Sequence, residues 1–260
     1  GADSAAGSQC IEETAHRTGR VSFSISSLLV VSPERLAANR IRSFVMRAGR
    51  MTPSQQRGWE EGFPQLGLAA SAGALDWDAT FGFAGRRVVE VGFGMGDSLL
   101  QMAEADATTQ FIGIEVHRPG VGRLLAQALT AQVDNLRVYA EDAVDVLTHC
   151  LAPDSVDAFH VFFPDPWHKK KHHKRRLIQT DLVRQLSARL RPGGYLHLAT
   201  DWAPYVEHMF DVLEAEPTLL NTHGTRAAVS RPDYRPLTKF EARGERLGHG
   251  VWDLMYHRQR

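Results

Sequence analysis

From Arg86 onward, short apolar runs rich in β-branched and aromatic residues alternate with segments of helical period. The runs are Arg87–Val91, Phe111–Glu115, Leu136–Tyr139, Val156–Phe163 and Tyr195–Thr200. Near-continuous apolar runs of this kind predict strands covered on both faces. Helical patterns fall between and after them at Ser98–Ala105, Val121–Gln132, Ala143–Cys150, Ile178–Leu190 and Tyr205–Glu214. Arg191-Pro-Gly-Gly194 predicts a clean end to the fourth helix before the next strand. Such alternation implies parallel strands with right-handed crossovers, hence an α/β doubly wound sheet. Upstream, Gly1–Arg20 lacks periodicity and reads as a flexible tail, and Arg35–Arg57 reads as a basic arm with little core of its own. The organisation expected is a flexible tail over 1–34 and one domain over 35–260, whose first part, 35–80, is the basic arm.

Composition changes this picture little. Forty-three per cent apolar residues in 260 supply a core for one domain. Cys10 and Cys150 give neither a disulfide framework nor metal-ligand spacing, so a reducing cytoplasm and no metal are expected. No apolar run approaches the roughly 18–20 residues of a membrane span, and Ser26–Val31 is short for a signal peptide. Charge is more informative. The net charge is zero, yet Glu90–Asp165 holds twelve acids against three bases, and His168–Arg243 holds fourteen bases against eight acids. That asymmetry suits a protein holding a cationic cofactor beside a polyanion.

The first strand runs into Glu90-Val-Gly92-Phe-Gly94-Met-Gly96-Asp97. Glycines at a strand-to-helix turn let the backbone approach a ligand, or merely satisfy a tight turn. Asp97 stands where a dinucleotide fingerprint wants a small residue, and it would oppose a pyrophosphate at the helix N-terminus. A nicotinamide dinucleotide is therefore disfavoured. S-adenosylmethionine, cationic at sulfur and amine and lacking phosphate, suits acids there. Glu115, ending the second strand, can accept two ribose hydroxyls. Asp142, after the third, is placed for an adenine amine or only for a helix N-cap. Three acids at three successive strand ends are more specific than the glycines.

The fourth strand ends in Phe162-Phe163-Pro164-Asp165-Pro166-Trp167. Two prolines fix φ and remove N–H donors, leaving Asp165 as an acceptor on a stiff loop, which suits the donors of guanine; loop stiffening alone is the plainer reading. His168–Arg176 then packs six permanent cations and three histidines into nine residues. Beside a crevice this favours phosphate contacts. His172 and His173 among lysines make no metal site. His160, in the fourth strand, reads as a satisfied core or edge histidine.

With these residues assembled, the sequence resembles the bacterial tRNA (guanine-N7)-methyltransferases from about Arg40 to His257. The resemblance rests on Glu90–Gly96, Gly113-Ile-Glu115-Val-His, Phe162–Lys169, Lys174-Arg-Arg176, Ala199-Thr-Asp201-Trp-Ala-Pro-Tyr205, Thr238-Lys-Phe-Glu241 and Leu247-Gly-His-Gly-Val-Trp252. It implies a class I S-adenosylmethionine-dependent methyltransferase fold, a seven-stranded Rossmann-like sheet with an antiparallel last strand near Val251–His257. It implies cofactor contacts from Glu90, Glu115, Asp142 and Asp165, beside the loop glycines Gly92, Gly94 and Gly96, with Asp165 as the active-site acid. Lys169, Asp201 and Thr238, Lys239, Phe240 and Glu241 would meet the tRNA guanine, and Lys171, His172, His173, Lys174, Arg175 and Arg176 the RNA backbone. The target implied is N7 of guanine 46 in the tRNA variable region. The partner expected is tRNA, with no membrane and with a monomer, or alternatively a homodimer, as the acting species. A nicotinamide dehydrogenase, a non-catalytic RNA-binding protein and a methyltransferase for another substrate are the rivals.

Overall fold

The computed structural model describes residues 50–238, 241 and 250–260. The expected tail, the arm before residue 50, and Lys239 and Phe240 lie outside them. Among the described residues eight strands form one sheet in the order β1-β4-β3-β2-β5-β6-β8-β7. They are β1 (Gly67–Leu68), β2 (Arg86–Val91), β3 (Thr109–Ile114), β4 (Leu136–Tyr139), β5 (Val156–Phe162), β6 (Leu190–Thr200), β7 (Leu219–Leu220) and β8 (Trp252–Arg258). All pairings from β1 to β6 are parallel, and β8 runs antiparallel to β6 and β7. The antiparallel last strand stands where it was expected. The sheet exceeds the expected seven strands by β1, a two-residue edge strand contributed by the arm.

The apolar runs are strands because both faces are covered. Val89, Val91, Ile112 and Ile114 point into one core, and their neighbours Val88, Phe111 and Val138 into the other. Helices α4 (Asp97–Ala105) and α5 (Arg118–Ala131) cover the second face; α6 (Ala143–His149), α7 (Thr180–Arg189) and α8 (Ala203–Glu214) cover the first. Arg191–Gly194 ends α7 as expected but does not precede the strand. Leu190 already pairs with Val156, and Tyr195 pairs with Ala158, so the four residues between bulge out of the ladder, with Gly193 at φ 82°. Pro192 has no N–H to give a ladder, which accounts for the bulge.

The arm is more folded than its composition implies. Thr52 and Gln55 form a reciprocal capping box for α1 (Pro53–Arg57), which continues through a wider helical turn to α2 (Phe63–Leu66). No residue of α1 is buried, as a coreless arm requires. Beyond it, Leu66 and, in α3 (Trp77–Phe81), Trp77 and Phe81 are buried. A Cβ on Gly58 would stand 2.0 Å from the Gly122 carbonyl oxygen, so the arm backbone sits directly on α5.

The chain fills the sheet outward from β2 in one direction, through β3 to β4, and then in the other from β5. The carboxyl ends of β2 and β5 therefore flank the switch point, where open α/β sheets bind ligands.

Candidate active site

The turn after β2 brings the expected glycines together. Gly92, Gly94 and Gly96 have φ of 76°, 60° and 80°. At Gly94 a side chain would meet nothing within 4 Å, so the backbone faces open space while the residue occupies a conformation that disfavours side chains. Below it Glu90 is buried, and its Oε2 has no hydrogen-bond partner among the described residues. Burial, with the Glu115 charge adding to it, raises the Glu90 carboxyl to about 8. A buried carboxyl with an unused oxygen beneath an open loop is a receptor for a cation or a hydrogen-bond donor.

Glu115 stands at the mouth of the neighbouring strand. Its Oε2 accepts the Gly94 N–H at 2.8 Å, and its Oε1 accepts those of Val116 and His117 at 2.7 and 2.9 Å. It thus ties two strand-end loops together while keeping one lone-pair site, on Oε2, for a ligand. Asp142 caps α6 through the Val144 N–H at 2.9 Å, the plainer of its two readings. Asp97 forms an ion pair with Arg123 at 2.7 Å. That pairing weakens its case against a pyrophosphate, so Glu90 and Glu115 carry the cofactor argument.

Across the switch point, Pro164-Asp165-Pro166 is bracketed by two non-glycine residues in left-handed backbone, Phe163 at φ 51° and Trp167 at φ 46°. The Phe163 N–H donates to the Ala199 carbonyl at 2.8 Å, and Asp165 Oδ1 accepts the Trp167 N–H at 2.9 Å. Asp165 is exposed. Backbone strain of this sort persists where the surroundings enforce it, and it gathers at functional sites.

The basic run follows as a short 3₁₀ turn, Lys170–Arg175. Lys169, Lys170, Lys171 and Lys174 are exposed, and Arg175 lies over the Trp167 ring at 5.2 Å with His172 at its edge. Arg176 departs from expectation. It is buried, its Nε donates to the Pro166 carbonyl at 2.9 Å, and its guanidinium covers the Tyr205 ring at 4.7 Å. His173 Nε2 lies 3.1 Å from Arg176 Nη2, so it too faces inward. Arg176 is thus enclosed by Pro166 and Tyr205, unlike the exposed lysines of the same run.

Asp201 follows β6, next to Trp202, which is exposed and packs edge-on against His168 at 4.3 Å. That contact joins the β6 end to the Asp165 loop. Thr238 and Glu241 make the reciprocal bonds of a capping box, at 3.1 Å from the Glu241 N–H to Thr238 Oγ1 and 3.0 Å from the Thr238 N–H to Glu241 Oε2. Glu241 is also buried and gives Oε1 to Arg235 at 2.7 Å. Both its oxygens are therefore engaged within the protein.

A family described as "Putative methyltransferase" matches residues 85–254. The tRNA (guanine-N(7)-)-methyltransferase of Pseudomonas aeruginosa (strain UCBPP-PA14) is 55% identical over 218 residues, 84% of this chain and 89% of its own length. The enzyme of that name from Chromohalobacter salexigens is 56% identical over 220 residues, with the same coverage. One from Pseudomonas putida (strain W619) is 53% identical over 219 residues, 84% of this chain and 91% of its own. The chain belongs to the tRNA (guanine-N7)-methyltransferase family.

This methyltransferase holds one polar cluster that the sequence reading missed. Arg235 is fully buried and grips Asp253 on β8 with Nε and Nη2, at 2.7 and 2.9 Å. His197 on β6 bridges Asp253 Oδ1 at 2.7 Å and the Tyr234 hydroxyl at 2.8 Å. Burial would raise Asp253, but hydrogen bonds from His197 and Arg235 outweigh it and hold the carboxyl low; burial holds His197 low as well. An ionised Asp253 beside a neutral His197 places the imidazole proton on Nε2 and leaves Nδ1 to accept from Tyr234. His160, in register between Glu90 and His197, is only half satisfied. Its Nε2 lies 3.3 Å from the Tyr195 hydroxyl, and its buried Nδ1 has no partner among the described residues. An acid within the apolar run Val251–Tyr256, and a histidine within Leu196–Leu198, are the signals that could have revealed this cluster. Among the described residues no group of three or more His, Cys, Asp or Glu is placed to hold a metal, and no helix is long and apolar enough to cross a membrane.

Proposed function

We propose that the chain transfers a methyl group from S-adenosylmethionine to N7 of a guanine in tRNA, the guanine being position 46 of the variable region. The observation that carries this reading is the meeting, at one switch point, of an acid-lined glycine turn after β2 and a strained Pro-Asp-Pro loop after β5, with exposed lysines immediately beside them. The names of the relatives supply the substrate class, and the resemblance supplies position 46. The cradle fits the proposed cofactor: its buried orphan Glu90 oxygen, beside a glycine turn open to close approach, favours a cation.

Bound S-adenosylmethionine supplies an electrophilic methyl group on a positively charged sulfur. Glu90 and Glu115 would hold the cofactor's charge and ribose, and Asp142 would accept from its adenine amine. Guanine N7 carries an in-plane lone pair and no proton at neutral pH, so the protein orients and stabilises rather than deprotonates. Asp165 accepts hydrogen bonds at the crevice and favours the positive charge that passes to the purine. Lys169, Asp201 and Thr238 face the guanine. The exposed lysines hold phosphates of a nucleotide that must leave its tertiary contacts to be reached.

Glu115→Ala should weaken S-adenosylmethionine binding by about 1.5–3 kcal/mol, the range for charge-assisted bonds, because it strips both ligand and loop of one acceptor. NADH should not bind. Calorimetry showing unchanged cofactor affinity, or tight NADH binding, would remove the cofactor assignment. Neutralising Lys170, Lys171, Lys174 and Arg175 together should weaken tRNA binding and leave cofactor affinity alone. The log–log salt dependence should flatten by roughly 0.7–0.9 per residue that touches a phosphate. A solvated, idle run would leave affinity and slope as they were.

A further inference from the structure

Two buried arginines hold the two ends of the loop that carries Asp165. At its start, the Arg235 guanidinium lies over the rings of Phe162 and Phe163, 5.7 and 5.6 Å from their centroids. The same group is bound to Asp253 on β8 and to Glu241, so one side chain joins the last strand, Glu241 and the root of the loop. At the loop's end, Arg176 Nε donates to the Pro166 carbonyl at 2.9 Å, and Gln179 Nε2 fixes the preceding turn through the His173 carbonyl at 3.0 Å. Tyr205, which lies under the Arg176 guanidinium, donates no charge but anchors α8 to this corner; its hydroxyl accepts the Ile178 N–H at 3.2 Å. Between the two arginines stand the left-handed residues Phe163 and Trp167.

Stability alone does not require this arrangement. A buried charge is desolvated at a cost that well-packed apolar side chains would avoid. What a guanidinium adds is direction: its planar fork fixes several partners in one geometry, which an ammonium cannot do. Residues in sparsely populated backbone regions stay there only when their surroundings over-determine them.

We propose that Arg176 and Arg235 are positioning residues for methyl transfer, clamping the Asp165 loop from its two ends and setting it against Glu241. This rests on the functional reading above. It assigns Arg176 to the loop rather than to RNA, and it gives Arg235, Asp253 and His197 a role in the reaction although none lies at the crevice. Transfer between two bound partners depends on near-attack geometry, where a displacement of about 1 Å costs on the order of a hundredfold in rate.

The test uses the full chain carrying Arg176→Lys or Arg235→Lys, which keep the charge and lose the fork. Each should slow single-turnover methylation at saturating tRNA and cofactor by on the order of a hundredfold. Cofactor affinity and the salt dependence of tRNA binding should remain those of the wild type. If Arg176 contacted RNA, the charge-removing Arg176→Gln would instead flatten the salt slope by roughly 0.7–0.9 and spare the saturated rate, which would overturn its assignment. Wild-type saturated rates in both variants would overturn the clamp. Should Arg235→Lys fail to fold, Asp253→Asn takes its place, because it weakens the ion pair that holds the guanidinium over Phe162 and Phe163, and it should lose rate by the same order. Where both fold, the double variant should be no slower than the slower single one, as members of one unit are not additive. The clamp also has a readout that needs no substrate. The Phe163 and Trp167 amide protons, held by the Ala199 carbonyl and by Asp165, should exchange faster in either variant. Unchanged exchange in both overturns the clamp whatever the substrate proves to be, whereas faster exchange in a protein that does not methylate tRNA faults the functional reading alone.

Discussion

Replacing Asp165 by Asn is expected to slow methyl transfer by about 2.7–4 kcal/mol, a hundredfold or more, as losing one preorganised electrostatic group does elsewhere. The structure makes this substitution clean. Asp165 Oδ1 already accepts the Trp167 N–H at 2.9 Å, and an Asn carbonyl can do the same, so the loop keeps its shape while the charge leaves. Asp165→Ala would in addition release the Trp167 backbone from its left-handed turn, so it should be slower still and loosen the loop. Asp165 is exposed in the crevice, so neither change should move the unfolding transition by much. The saturated rate should carry no general-base limb, because N7 has no proton to give up. A saturated single-turnover profile that rises through neutrality in the wild type and goes flat in Asp165→Asn would mean that deprotonation matters. The target would then be an exocyclic amine or another protonated nitrogen.

Glu90 is expected to make the protein's stability and its cofactor affinity depend on pH in opposite senses. Its carboxyl is raised from 4.5 to about 8 by burial and by the Glu115 charge. Between those values the folded protein holds a proton that the unfolded chain has lost. The stabilisation is complete below 4.5 and disappears as pH rises to about 8. The shift corresponds to on the order of 5 kcal/mol across that window. Denaturant midpoints of the free protein should fall accordingly, and Glu90→Gln should flatten the slope. A bound cation favours the carboxylate, so cofactor binding near neutrality should expel close to one proton, and affinity should rise about tenfold per pH unit below that value. Calorimetry in two buffers of different ionisation enthalpy reads the proton directly. No buffer dependence in the wild type, or the same dependence in Glu90→Gln, contradicts this role.

The sheet was legible in the sequence wherever both faces are covered. Val88 and Val89 enter opposite cores, so both faces of their run are apolar up to Glu90, and Phe111–Ile114 carries no polar side chain at all. The two-residue strands β1 and β7 were not legible, because a pairing that short leaves no period. Leu190 was read as the end of a helix, since a strand beginning before a Pro-Gly-Gly bulge depends on Val156 opposite it. Within the site, Glu90, Glu115 and Asp165 could be found because each ends a strand, and strand ends at a switch point converge by topology. Arg176 could not be told from its basic neighbours. Whether a cation in such a run is enclosed depends on Tyr205 and Pro166, which the chain brings together only on folding. Glu241 was read as a guanine contact by resemblance, and its commitment to Arg235 and Thr238 follows from β8 lying beside β6.

The central claim, that this protein methylates tRNA guanine at N7, is tested most directly by its product. Unmodified tRNA incubated with methyl-labelled S-adenosylmethionine and the full chain, then digested to nucleosides, should place the label in 7-methylguanosine from the variable region. Label in any other nucleoside, or none in tRNA although the protein binds both partners, would contradict it.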